Sequence, residues 1–195
     1  MTDAFKATRE LSGDYYEFGL YKGFTLYHSF KTASEEKIDC LFFGFDSFEG
    51  LPEISEIDKG AKFDKSKYAC SLEMVRNNLT DNGVDLQKTY LIKGFFSDTL
   101  RDKSLTERYP FGKARIVMVD CDLYASTKDV LNFIFPYLQN GTILIMDDWN
   151  CFDADDSKGE RLATNELLAS HPEISLEHFE QFGWHGDSFK VKIKF

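Results

Sequence analysis

Carboxylates stand at, or within two residues of, the ends of four strand-like segments: Glu17, Asp46, the pair Asp120 and Asp122, and the pair Asp147 and Asp148. In an open parallel α/β sheet a ligand sits in the crevice beyond the carboxyl ends of the strands, so this placement predicts that the acidic groups converge. Convergence has an electrostatic cost. Crowded carboxylates repel and raise one another's pKa unless a cation lies between them, so the pattern asks for a metal, a cationic ligand, or both.

Each acidic position has a chemical reading and a plainer one. Residues 17–23 read strand, glycine turn, helix: Glu17, Gly19 and Gly23 frame a turn where backbone can approach a ligand closely. The spacing is neither GxGxxG nor a Walker pattern, and Glu17 would repel a phosphate, so an ammonium-bearing ligand suits it better. A merely structural glycine turn is the plainer reading. Asp46, after the second strand, stands where an acidic side chain commonly accepts the ribose hydroxyls of a nucleoside cofactor; a turn aspartate capping Ser47 and Phe48 is the alternative. The 119–124 and 145–150 segments (VDCDLY and IMDDWN) follow apolar strands that should be neighbours, and their all-oxygen donor set suits a hard cation such as Mg²⁺. Otherwise they are two solvated acidic loops. Ser126 and Cys121 have no suitably placed His for a nucleophilic triad. His28, His171, His178 and His185 are scattered singly and read as surface or core histidines. Phe48, Phe95 and Phe96 lie at strand ends and could contact an adenine.

The elements that must hold these groups alternate strand and helix, which predicts an α/β fold with a mainly parallel sheet. Strands are expected at 15–20, 40–45, 89–93, 115–119 and 142–146. Helices are expected from Gly23 to about residue 33, from a Ser71 cap to Gly83, over 127–138 with Pro136 disturbing its last turn, and over 160–170. Residues 49–68 are charged, carry Pro52 and lack clean periodicity, which predicts a surface loop over the crevice. The tail alternates Phe189, Val191, Ile193 against Lys190, Lys192, Lys194, the pattern of a half-exposed antiparallel strand paired with 175–182.

With 195 residues and 43% hydrophobic composition, residues 1–195 are expected to fold as one domain. The chain carries 23 basic and 33 acidic residues, a net charge of −10, and no Lys/Arg cluster, which argues against nucleic-acid binding. Cys40, Cys70, Cys121 and Cys151 show no CxxC spacing and read as reduced cytoplasmic thiols. Residues 1–12 are polar and lack the apolar core of a signal peptide, and the longest apolar runs are too short to span a bilayer, so a soluble cytoplasmic protein is expected.

Taken together, residues 17–23, DSFEGLP at 46–52, KGFFSDTL at 93–100, DCDLYAST at 120–127 and DDW at 147–149 resemble the macrocin, mycinamicin and novobiocin O-methyltransferase family, over residues 13–150. That resemblance implies a class I S-adenosylmethionine-dependent, Mg-assisted enzyme methylating a hydroxyl of a small molecule, a sugar or sugar-bearing metabolite. It implies a seven-stranded Rossmann-like sheet of order 3-2-1-4-5-7-6 with an antiparallel last strand. By residue matching, Glu17, Gly19 and Gly23 surround the methionine part of the cofactor and Asp46, with Ser47, its ribose; Phe95, Ser97 and Asp98 fall near the adenine. Asp120, Asp147 and Asp148 match metal ligands, Asp120 also bordering the cofactor, and Asp122 matches the general base; one residue of slippage would exchange Asp120 and Asp122. Two departures stand out: Cys121 replaces the family's usual glycine, and only about a dozen residues precede the first strand where family members carry lid helices. The missing acceptor wall is therefore expected from the 49–68 loop or from a second protomer. The same metal site would also serve a catechol-like phenol, and a chain without its lid could be a non-catalytic cofactor-binding module.

Overall fold

The computed structural model describes residues 1–59 and 68–194. Helix Thr2–Ala7 (α1) precedes strand Asp14–Phe18 (β1), helix Phe24–Glu35 (α2) and strand Phe42–Asp46 (β2). Helix Leu72–Asp81 (α3), strand Thr89–Lys93 (β3), short helices Phe96–Thr99 (α4) and Leu105–Arg108 (α5), and strand Ala114–Val119 (β4) follow. The chain continues through helix Tyr124–Ile134 (α6), strand Ile143–Met146 (β5), helix Gly159–Ser170 (α7) and the hairpin Ile174–Phe182 (β6) and Gly186–Ile193 (β7). The strands form one seven-stranded sheet in the order β3-β2-β1-β4-β5-β7-β6. Its first five members pair in parallel and β7 runs antiparallel between β5 and β6, as the alternating tail predicts.

Strand alternation divides the core between the two faces. Tyr16, Phe18, Phe43, Phe45, Val117, Val119, Leu144 and Met146 pack toward α6 and α7, while Tyr15, Phe42, Ile116, Met118, Ile143 and Ile145 point to the other side. Neighbouring aromatics stack across the strands, Phe18 on Phe45 with ring centroids 4.6 Å apart and Tyr16 on Phe43 at 5.0 Å. This rigid layer sets the carboxyl ends of β1, β2, β4 and β5 side by side.

Three local features depart from the sequence expectation. The polar N-terminal stretch contains α1, whose Phe5 is wholly buried against Tyr15. Two adjacent apolar residues, Ala4 and Phe5, on a six-residue helix carry too little periodicity to be read in advance. Arg115, itself buried, ties this segment down by donating to the carbonyls of Thr8 and Gly13. Phe5→Ala is expected to cost about 3–5 kcal/mol, the usual loss for a buried aromatic, read as a lower urea midpoint at unchanged slope. The helix expected from residue 127 instead starts at Tyr124, because the first free backbone N–H is capped from far away: Asp58 Oδ1 accepts from Tyr124 N at 2.9 Å. It ends at Ile134, and Phe135–Tyr137 form a single 3₁₀ turn around Pro136, which has no N–H to continue the α-helix. Finally, the expected 49–68 loop contains a turn the sequence did not show: Glu56–Asp58 make a 3₁₀ turn, and the buried Asp58 also accepts from Ser55 Oγ at 2.8 Å. Its residues 60–67 lie outside the described residues.

Candidate active site

The strand ends converge as the acidic pattern requires. Gly19 follows β1 with φ 91°, and a Cβ there would lie 1.8 Å from the carbonyl oxygen of Asp120, so no other side chain fits without parting β1 from β4. Asp46, ending β2, is the tie that shapes this turn. Its Oδ2 accepts from Leu20 N at 2.7 Å and Tyr21 N at 3.1 Å, and its Oδ1 accepts from Phe48 N at 2.6 Å. Tyr21, Phe48 and Asp122 hold the left-handed backbone region at φ 48°, 55° and 61°, a conformation rare outside glycine and common at ligand sites.

At the ends of β4 and β5, oxygens of Asp120, Asp122 and Asp148 lie within 4.8 Å of one another. Asp122 N donates to Asp148 Oδ2 at 3.0 Å, Cys151 Sγ lies 3.2 Å from Asp148 Oδ1, and Asp148 N donates to Glu160 Oε2 at 3.1 Å. Burial, then repulsion by neighbouring carboxylates, pushes the pKa of Asp120, Asp122 and Asp147 up; burial also raises Asp148, against the hydrogen bonds it accepts from Cys151 and Asp122. Asp147 stands apart from the close trio: its carbonyl meets His185 Nδ1 at 2.6 Å and its Oδ2 lies 3.8 Å from the same nitrogen. Glu17 sits beneath the site, fully buried, accepting from the Tyr15 hydroxyl at 2.5 Å, and its burial raises its pKa to about 8. Glu160 is also buried, with Oε1 unpartnered among the described residues.

A crevice of about 750 Å³ opens over these groups. Of the residues selected from the sequence, Gly19, Asp46, Ser47, Phe95, Ser97, Asp120, Asp122, Asp147 and Asp148 line it. Glu17, Gly23 and Asp98 are not among the described residues that do. Gly23 instead caps α2 with φ 78° and faces Val75 and Leu79, Asp98 is exposed on α4, and Glu17 lies below the floor. The Ser47 hydroxyl is committed to its own turn, donating to Gly50 O at 2.7 Å and accepting from Glu49 N at 3.0 Å. Gly50, Leu51, Pro52, Glu53 and Tyr68 form part of the wall, so the long loop does border the crevice. His185, expected as a surface or core histidine, is a crevice residue, and Trp184 and Tyr68 escaped the sequence reading altogether. They come from a hairpin turn and a loop end, where no periodicity marks a side chain as inward.

The pattern of the family described as macrocin O-methyltransferase (TylF) matches residues 4–166. The chain belongs to the macrocin O-methyltransferase family. Among similar proteins, the 8-demethyl-8-(2,3-dimethoxy-α-L-rhamnosyl)-tetracenomycin-C 4′-O-methyltransferase of Streptomyces olivaceus is 33% identical over 110 residues, covering 53% of this chain and 40% of that protein. The chain thus matches less than half the length of this relative. In fold it resembles the O-methyltransferase NovP, with a TM-score of 0.76 and 22% identity over 98% of this chain and 80% of that one. It also resembles MycE, solved in complex with Mg, SAH and mycinamycin VI, with a TM-score of 0.54 and 16% identity over 98% of this chain and 48% of that one. Among the described residues no helix is long and apolar enough to cross a membrane, and none of the four cysteines is in a disulfide.

Proposed function

We propose that this chain transfers a methyl group from S-adenosylmethionine to a hydroxyl of a sugar-bearing small molecule, assisted by a divalent cation. The observation that carries the reading is the trio Asp120, Asp122 and Asp148, closed to within 4.8 Å beside the Gly19 turn in one crevice. The family and the relative named for a rhamnosyl 4′-position support the substrate class.

The crevice fits the cofactor chemically. Its described lining carries many carboxylates and neither Lys nor Arg, an electrostatic match for a ligand with a sulfonium and an ammonium and a mismatch for a pyrophosphate. Phe95, Phe96 and Leu51 supply apolar wall for a flat base, and Gly19, Asp46, Ser47 and Ser97 supply polar contacts. Glu17, buried against the Tyr15 hydroxyl, and Gly23, at the α2 cap, support the lining without joining it.

The acidic donors fit a hard cation. Oxygens of Asp120 and Asp148, with that of Asp122 beside them, lie within 4.8 Å of one another, close enough for one Mg²⁺ to be shared among them. Asp120 and Asp148 would hold the ion with Asp147, the next carboxylate along the same loop. When bound, it supplies positive charge that relieves the carboxylate repulsion and lowers the pKa of an acceptor hydroxyl. Asp122, in the same cluster and on the same loop as Asp120, takes the hydroxyl proton as the oxygen attacks in line with the methyl–sulfur bond, which breaks to release S-adenosylhomocysteine. Cys151 and Glu160 hold Asp148 from two sides and keep it pointed into the site.

The test is transfer of labelled methyl from S-adenosylmethionine to a panel of hydroxylated compounds, including the rhamnosyl tetracenomycin glycoside, with Mg²⁺ and with a strong chelator. Transfer that needs the divalent ion and releases S-adenosylhomocysteine is expected. Equal transfer under chelation would remove the cation from the reading, and cofactor binding with no acceptor methylated would leave a binding module instead.

A further inference from the structure

We infer that Trp184 is the platform on which the acceptor's sugar ring stacks, so that the β6–β7 hairpin selects a glycosylated substrate. This deepens, and rests on, the methyl-transfer reading of the crevice. Trp184 lines the crevice and is 72% exposed, the most exposed large apolar side chain among the described residues. The chain's second tryptophan is committed elsewhere: Trp149 packs on Phe189 at 4.7 Å with the Arg161 guanidinium over its ring at 4.8 Å.

A lone exposed aromatic needs no explanation by itself, but this one stands on a turn whose next residue, His185, is held on two sides. His185 O accepts from Asn150 N at 2.8 Å, and His185 Nδ1 meets Asp147 O at 2.6 Å, which fastens the hairpin turn to the loop carrying the acidic residues. The Trp184 ring then stands edge-on to the His185 ring, with centroids 5.2 Å apart. Strand order gives its side of the crevice. The cofactor wall comes from β1, β2 and the segment after β3, whereas Asp187 of β7 pairs with Met146 of β5, so the turn lies beyond β5 on the far side of the acidic cluster. An acceptor hydroxyl presented to Asp122 would therefore have its ring within reach of the indole.

The chemistry of the two surfaces matches a pyranose. One face of such a ring is C–H bonds, which favour the negative π-face of an indole, and its rim is hydroxyls, which donate to carboxylates. An indole supplies a large rigid contact at little cost in conformational entropy. Asp122, the base, then meets the rim hydroxyl that is to be methylated.

The experiment compares wild type, Trp184→Ala and Trp184→Phe for S-adenosylhomocysteine affinity by calorimetry and for KM and kcat on the rhamnosyl tetracenomycin glycoside. Trp184→Ala is expected to raise KM by about tenfold or more, with Trp184→Phe between and cofactor affinity unchanged. An unchanged KM, or an equal loss of cofactor affinity, would overturn the assignment. A second readout does not depend on turnover: in Trp149→Phe, Trp184 is the sole tryptophan, and its emission should shift with the glycoside and not with the sugar-free aglycone. No shift, or the same shift with the aglycone, would overturn the platform. A glycoside-specific shift without methylation would support it while counting against methyl transfer.

Discussion

Asp122→Asn is expected to retain the divalent cation and to slow methyl transfer by about 10²–10⁴, the usual worth of a positioned base. The amide keeps the shape of the side chain and the backbone bond from Asp122 N to Asp148 Oδ2, so the loop has no reason to move. What it loses is the ability to take a proton. Asp148→Asn should behave differently. Its carboxylate accepts from the Asp122 backbone and lies beside the Cys151 thiol, and as a proposed ligand it should bind the cation less well as an amide, with excess Mg²⁺ restoring part of the rate. Calorimetric Mg²⁺ titration beside single-turnover rates separates the two effects. Because Asp122 lies in the close trio and Asp147 does not, loss of cation binding in Asp122→Asn with retention in Asp147→Asn would exchange their roles. A wild-type rate in Asp122→Asn would eliminate it as the base.

The parts of this site that were readable in advance are those written as periodicity or as strand-end chemistry. Apolar runs alternating with helical stretches marked the parallel strands, and the period-two pattern over 189–194 pointed to the antiparallel β7, because a period of two has no other comfortable home. The acidic residues after β4 and β5 could be placed together since parallel neighbours deliver their carboxyl ends to the same edge. Distant partnerships were not readable. The N-terminus of α6 is capped by Asp58, from the other side of α3 in sequence, and Glu160 reaches Asp148 from the first turn of α7. Neither pairing leaves a local mark. Trp184 and His185 were hidden for a related reason: a hairpin turn has no inward face until the strands on either side have been registered against β5.

At Asp46 the capping reading is met at Phe48, and the side chain reaches further than the sequence showed. It caps its own turn, and it also holds the backbone of Leu20 and Tyr21, which follows Gly19 into α2. An ionised carboxylate offers about four acceptor positions, and three backbone N–H groups occupy most of them, so ribose hydroxyls would share its oxygens with the turn. Asp46 would therefore act on a nucleoside in two ways, as acceptor and through the turn that its side chain holds.

Removal of this side chain should consequently cost more for binding than two hydroxyl contacts alone. Asp46→Ala is expected to weaken S-adenosylmethionine by about tenfold to a hundredfold or more, corresponding to roughly 1.5–3 kcal/mol for charge-assisted hydrogen bonds. Asp46→Asn divides the two contributions. Its amide oxygen can still accept from Leu20 N, but the neutral group binds hydroxyls more weakly, so affinity should fall part of the way while the turn stays closed. Hydrogen exchange at the amides of Leu20, Tyr21 and Phe48 reads the clamp independently of ligand: protection should drop in the alanine variant and persist at Leu20 in the asparagine variant. Unchanged calorimetric affinity in Asp46→Ala would rule out the ribose role. Lost affinity with full amide protection would assign the effect to the hydroxyl contacts, because a turn that stays closed without Asp46 cannot owe its shape to it.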